Sequence, residues 1–222
     1  MHAFFVHGMG RSPVSGLPML WRLRRSGMSA STFGYMVSLE KFERIKQRLL
    51  TAIVKTAAQG DYVVIGHSLG GVLLRAALNE LPVAVPQPRR VFLLGSPVRA
   101  SRLAQKLCRN PIYRLLTGEC GQLLASASLM AELGPVRAPM SGIVGVRGVN
   151  HARGPFRGEP NDGVVSVSEV SAEWITDVVS LPIVHTLLPA SKAVAEVILA
   201  RISQDSREGA DEDSEWEQTN VV

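Results

Sequence analysis

A serine held between glycines, in Gly66-His67-Ser68-Leu69-Gly70, is the side chain of this sequence best placed to act as a nucleophile. A serine hydroxyl is weakly reactive by itself, so it needs a base, and that base needs a group to orient it. Only His151 and His185 follow Ser68. His185 sits between the last apolar run and the closing helical pattern. His151 lies in an Arg/Gly-rich stretch upstream of the best acid, out of the order serine, acid, histidine. The acid is Asp162, in Asn161-Asp162-Gly163-Val164-Val165, where the glycine lets the chain turn tightly. Asp177 competes, but it falls inside a predicted strand, where pairing fixes its direction; Glu159 and Glu169 are outsiders. Acyl transfer also requires two N–H donors for a tetrahedral oxyanion. The main-chain N–H of Leu69, next to the nucleophile, is one. The N–H of Met9, in His7-Gly8-Met9-Gly10, is the other, and His7 reads as a structural residue that orients this loop.

Placing these groups requires strands that end at the turns and helices that start from them. Ala3–Val6 and Tyr62–Ile65 are short uncharged apolar runs, suited to strands buried on both faces. Further strands are predicted over 32–37, 90–94, 142–146 and 174–181. Residues 39–58 carry apolar positions at helical spacing opposite a charged face. Helices are also predicted over 12–26, 72–81, 101–108 and 189–202. Strands alternating with helices imply an open, mostly parallel sheet covered on both faces, with ligands beyond the carboxyl ends of the strands. Two glycines flank Ser68 because a sharp strand-to-helix turn leaves no room for side chains there, and Gly71 lets the helix approach the sheet. From Arg109 to Pro139 the pattern is less regular, and this is the one segment long enough to form a cap. Leu115, Leu116, Leu123, Leu124, Leu129 and Met130 could line an acyl pocket or fill the core.

The 222 residues suit one domain, and 46% apolar with 19% charged residues exclude a disordered chain. No apolar run reaches the length of a membrane span. The N-terminus lacks a basic leader, so a cytoplasmic protein is expected. Cys108 and Cys120 are too few for a disulfide scaffold and read as free thiols. The net charge of +5 hides an asymmetry, because the last twenty residues hold seven acids and one base. Residues 1–202 are therefore read as the domain and 203–222 as an acidic, disordered tail. The basic body, with clusters at Arg22, Arg24, Arg25 and at Arg89, Arg90, allows peripheral contact with an anionic membrane surface. Nucleic acid is not expected as a partner. The sequence sets no oligomeric state.

Val6-His7-Gly8-Met9-Gly10, Gly66-His67-Ser68-Leu69-Gly70-Gly71, Leu94-Gly95-Ser96-Pro97, Asn161-Asp162-Gly163-Val164-Val165 and His185 together resemble the lipase/esterase branch of the α/β-hydrolases. They are most similar to small bacterial triacylglycerol-lipase-like and GPI-deacylase-like proteins, over residues 3–202. The resemblance implies a minimal α/β-hydrolase fold of about six mostly parallel strands in a three-layer αβα sandwich. It also implies hydrolysis of a small-molecule or lipid carboxylic ester without metal or cofactor. Ser68 would be the nucleophile, His185 the base and Asp162 the acid. The same triad would equally serve an acyltransferase or a thioesterase, and the fold also has room for a non-catalytic lipid-binding member.

Overall fold

The computed structural model describes the backbone of residues 1–219 and the side chains of residues 1–207. Six strands form one sheet: β1 (His2–Val6), β2 (Ser29–Phe33), β3 (Tyr62–His67), β4 (Val91–Leu94), β5 (Met140–Gly145) and β6 (Asp177–Leu181). Their order is β2-β1-β3-β4-β5-β6, and every neighbouring pair is parallel. The helices are α1 (Leu17–Arg25), α2 (Phe42–Ala57), α3 (Leu69–Asn79), α4 (Arg102–Leu107), α5 (Pro111–Ala125), α6 (Ala127–Glu132), α7 (Val167–Val170) and α8 (Lys192–Thr219). Short 3₁₀ turns at Pro13–Gly16 and His185–Ala190 lead into α1 and α8.

The alternation along each strand builds the two sides of the core. Phe4, Val6, Tyr62, Val64, Val91 and Leu93 join one cluster with Ile45, Leu49 and Ile53 of α2 and Leu69, Val72 and Leu73 of α3. Ala3, Phe5, Val63, Ile65, Phe92 and Leu94 point the other way, against Met19, Leu20 and Leu23 of α1 and Val194 and Ile198 of α8. From β1 the chain crosses outward to β2, and from β3 it crosses the other way to β4. The direction of winding therefore reverses between β1 and β3, which opens a crevice at their carboxyl ends.

Three boundaries differ from the predicted ones for physical reasons. The second strand lies at Ser29–Phe33 rather than 32–37. It is the sheet edge, where its serines bond to His2: Nδ1 lies 2.8 Å from Ser29 Oγ and Nε2 2.6 Å from Ser31 Oγ. The helix after Ser68 begins at Leu69, not Val72, so Gly70 and Gly71 are helical despite their poor propensity. The closing helix does not stop at Ile202 but runs on as backbone to Thr219. Asp205 ties this extension to the sheet by pairing with Arg90. Of the segment expected to be a disordered tail, 220–222 lie outside the described residues.

The arginine clusters are engaged locally. Arg89 pairs with Asp61 at 2.9 Å, Arg24 donates to the Ala30 carbonyl at 2.8 Å, and the Arg25 guanidinium stacks 4.9 Å from the Trp21 ring centre. Among the described residues no helix is long and apolar enough to cross a membrane.

Cys120 is 1% exposed, and burial pushes its thiol up to about 12. Cys108 is partly exposed, and the two are not bridged. Titration with a disulfide reagent at mildly alkaline pH is expected to find Cys108 alone in the folded protein and both thiols in denaturant. Equal reactivity in the folded state would contradict this packing.

Candidate active site

Ser68 stands at the crevice, between β3 and α3, with φ 52° and ψ −123°. A non-glycine residue rarely adopts this backbone, at a cost of about 1–3 kcal/mol. Three contacts hold it there. The Ser68 N–H donates to the Leu94 carbonyl at 2.9 Å, the Ser96 hydroxyl donates to the Ser68 carbonyl, and α3 is pressed onto the end of β1. That approach requires Gly70, since a Cβ there would overlap the carbonyls of Val6 and His7.

The side chains of His185 and Asp162 meet in the structure. Asp162 is 2% exposed and His185 6% exposed. His185 Nδ1–H donates to Asp162 Oδ2 at 2.6 Å, while the His185 N–H donates to the Asp162 carbonyl at 2.9 Å. The other carboxylate oxygen, Oδ1, accepts the N–H groups of Val164 at 2.9 Å and Val165 at 2.8 Å. The carboxylate is thus fixed in direction by its own turn, and the imidazole is fixed by the carboxylate. This tautomer leaves His185 Nε2 with its lone pair. Ser68 and His185 line one cavity of about 250 Å³, together with Met9, Leu103, Ala104, Leu107, Tyr113 and Leu124 among others. Ser68 Oγ makes no direct hydrogen bond to His185 here, a contact that in such sites commonly tightens only with substrate bound.

Met9 lies in the loop after β1, on the wall of the same cavity. Leu69 is the first residue of α3, where a helix leaves its N–H groups without acceptors of their own. His7 has the structural role expected of it. Its Nδ1–H donates to the Gly8 carbonyl at 2.8 Å, Nε2 accepts the Tyr35 N–H at 3.4 Å, and its ring stacks on Tyr35 at 4.3 Å.

The rival residues lie elsewhere. Asp177 opens β6 at the far end of the sheet, where Arg201 bonds its carboxylate and holds it below the usual range. Glu169 accepts the N–H groups of Ser166 and Arg102, and Glu159 accepts from Ser168 and Arg102. His151 is exposed in its loop, with Nδ1 accepting the Arg153 N–H. Of the six apolar residues in the irregular segment, Leu124 lines the cavity. Leu123, Leu124 and Met130 belong to the core, whereas Leu115, Leu116 and Leu129 are exposed. The segment contributes to the site's lining through Tyr113 and Leu124 of α5.

Two residues matter beyond their place in the motifs. Gly95 has φ 53°, and a Cβ there would lie 2.9 Å from Asp162 Oδ2 and 3.0 Å from His185 Nδ1, so its bareness makes room for the acid–base pair. His67 is 1% exposed and donates from Nε2 to the His185 carbonyl at 3.1 Å. Its Nδ1 is buried without a partner, and burial, reinforced by the nearby His185, pushes the imidazole down to about 3. It is neutral at physiological pH and braces the backbone of the base. Gly95 was legible as part of a motif; the brace from His67 has no sequence signal, because it depends on two turns meeting in space.

No protein-family model matches the chain, and no curated protein matches it by sequence. Solved structures do. The metagenomic carboxyl esterase MGS0156 is 15% identical with a TM-score of 0.68, over 85% of this chain and 65% of that one. The ydeN gene product of B. subtilis is 15% identical with a TM-score of 0.63, over 91% and 98%. Phospholipase PlaB from Legionella pneumophila is 17% identical with a TM-score of 0.60, over 77% of this chain; this chain spans only 44% of that enzyme. These likenesses establish the α/β-hydrolase fold.

Because the folded state keeps His67 neutral while the unfolded chain protonates it below about 6.5, this residue costs stability as pH falls from about 6.5 towards 3. Urea unfolding across that window is expected to show a slope up to about 1.4 kcal/mol per pH unit shallower in His67→Gln than in the wild type. Identical slopes would show that His67 is protonated in the fold. Gly95→Ala is expected to keep the far-ultraviolet circular dichroism of the wild type. Its rate of labelling by a fluorophosphonate should drop about a hundredfold, the scale of a displaced catalytic base; an unchanged rate would refute the role given to Gly95.

Proposed function

We propose that this chain is a serine hydrolase of carboxylic esters. The observation that carries the proposal is the Asp162–His185 pair, 2.6 Å long, opening onto the same cavity as the strained Ser68. Ser68 Oγ attacks the ester carbonyl while His185 Nε2 takes its proton. Asp162 keeps the imidazole in the required tautomer and stabilises the imidazolium. Negative charge on the carbonyl oxygen is met by the N–H groups of Met9 and Leu69, with Leu69 at the positive end of α3. The tetrahedral intermediate collapses as His185 returns the proton to the leaving alcohol, leaving an acyl group on Ser68. Water, deprotonated by His185, then attacks the acyl carbonyl and releases the carboxylic acid and the free serine.

The wall formed by Leu103, Ala104, Leu107, Tyr113 and Leu124 suits an acyl chain. A volume of about 250 Å³ lies below the roughly 300–1,000 Å³ of sites that enclose larger ligands, which favours short acyl groups.

Purified protein is expected to hydrolyse p-nitrophenyl acetate and butyrate faster than the palmitate, and to be labelled at Ser68 by a fluorophosphonate. Ser68→Ala should lose both properties, with turnover reduced by about three orders of magnitude or more. Equal turnover by variant and wild type would sink the proposal. Turnover of acyl-coenzyme A in place of oxygen esters would reassign the same triad to thioester cleavage.

A further inference from the structure

One permanently charged residue, the exposed Arg11, lines the cavity that holds Ser68 and His185. Arg11 follows the loop Gly8-Met9-Gly10, and its N–H closes the turn on the Gly8 carbonyl at 3.2 Å. Its guanidinium makes no ion pair and no hydrogen bond among the described residues. No carboxylate lines the cavity either, because Asp162 lies beneath His185 and is spent on the imidazole and on its own turn. The charge is felt inside the site: after burial and His185, Arg11 is among the groups that push His67 down.

The sheet order sets which elements bring the cation and the acyl wall. β3, which carries Ser68, has β1 on one side and β4 on the other. Arg11 comes from the loop after β1, whereas Leu103, Ala104 and Leu107 come from α4, after β4. The lining of the cavity therefore comes from both sides of β3 in the sheet. With the acyl chain against the apolar lining, the alcohol part of the ester is the part left for Arg11. A guanidinium without a protein partner gains most from an oxygen anion, which it can bind with two parallel N–H donors.

Resting on the reading of this site as an ester hydrolase, we propose that Arg11 is a specificity-determining residue that binds an anionic oxygen group, phosphate or carboxylate, on the alcohol part of the substrate. The substrate class is then a short acyl ester of an anionic alcohol.

Three soluble butyryl esters separate the sources of charge: one of glycerol, one of glycerol 3-phosphate and one of glycolate. Each is followed by pH-stat with the wild type, Arg11→Gln and Arg11→Lys. Preference for at least one charged ester over the glycerol ester is expected to be about tenfold in kcat/KM and to reside mainly in KM. Arg11→Gln should erase that ratio and Arg11→Lys should retain part of it. Salt at about 0.5 M should shrink it in the wild type, as screening requires. A phosphate-only preference identifies a phosphoester headgroup, and a glycolate preference a carboxylate. No preference in the wild type, or a preference that survives Arg11→Gln, overturns the proposal. Binding of hexyl glycerol ether and its 3-phosphate, measured by calorimetry, does not depend on hydrolysis. Tighter binding of the phosphate form, lost in Arg11→Gln, supports the Arg11 subsite even where no ester is turned over, and in that case the hydrolase reading alone falls. Equal binding of the two ethers counts against the subsite whatever the enzyme does.

Discussion

The strained backbone at Ser68 is the constraint on which the rest of the site depends. Its φ of 52° lifts the side chain out of the sheet, and no local preference of the chain would maintain it. The cost, about 1–3 kcal/mol, is comparable to the gain from burying one or two large apolar side chains, at about 1.5–3 kcal/mol each. Tyr62, Val63, Val64 and Ile65 before the turn and Leu69, Val72 and Leu73 after it are at most 1% exposed. The two arms of the elbow are therefore anchored far more strongly than the turn resists. Glycine at 70 lets α3 touch the end of β1, and that contact also brings the loop bearing Met9 to the serine.

Asp162 and His185, the proposed acid and base, depend on a different principle. Asp162 and His185 are only 23 residues apart, and their link combines two hydrogen bonds, one between side chains and one between backbones. The pair is anchored from both sides, by Gly95 making room from β4 and by His67 bonding the His185 carbonyl from β3. The consequence is that Ser68 and His185 are coupled through adjacent residues of one turn. His67 precedes Ser68 in sequence and touches His185 in space, so a displacement of the elbow also displaces His185.

Much of this was legible in the sequence, and particular residues show why. The uncharged run at 62–65 and the glycines around Ser68 encode a central strand and a sharp turn, because burial on both faces and close approach leave direct traces in residue type. Asn161-Asp162-Gly163 and His185 were legible from order along the chain. The edge strand at Ser29–Phe33 was misplaced since an edge can keep serines bonded to His2, which hides the apolar signal. The irregular segment was read as the one stretch long enough to form a cap, with its leucines assigned to either core or pocket. Its kink at Gly118, with φ 54° and ψ −144°, directs Tyr113 and Leu124 into the cavity but leaves Leu115 and Leu116 in solvent, which depends on tertiary placement and not on periodicity.

The fold and the choice of substrate are written in different parts of the molecule. The likenesses at 14–18% identity rest on a fold shared with a carboxyl esterase, a phospholipase and a thioesterase, so the fold cannot distinguish among their ligands. What differs is the lining supplied from outside the sheet. α4 and α5 furnish an apolar wall, and the loop after β1 furnishes one cation without a carboxylate facing it. Each can change without disturbing the strands that place Ser68. Under the proposed reading, selectivity would follow from the balance between a wall that dehydrates an acyl chain and a charge that rewards an anion in the same cavity.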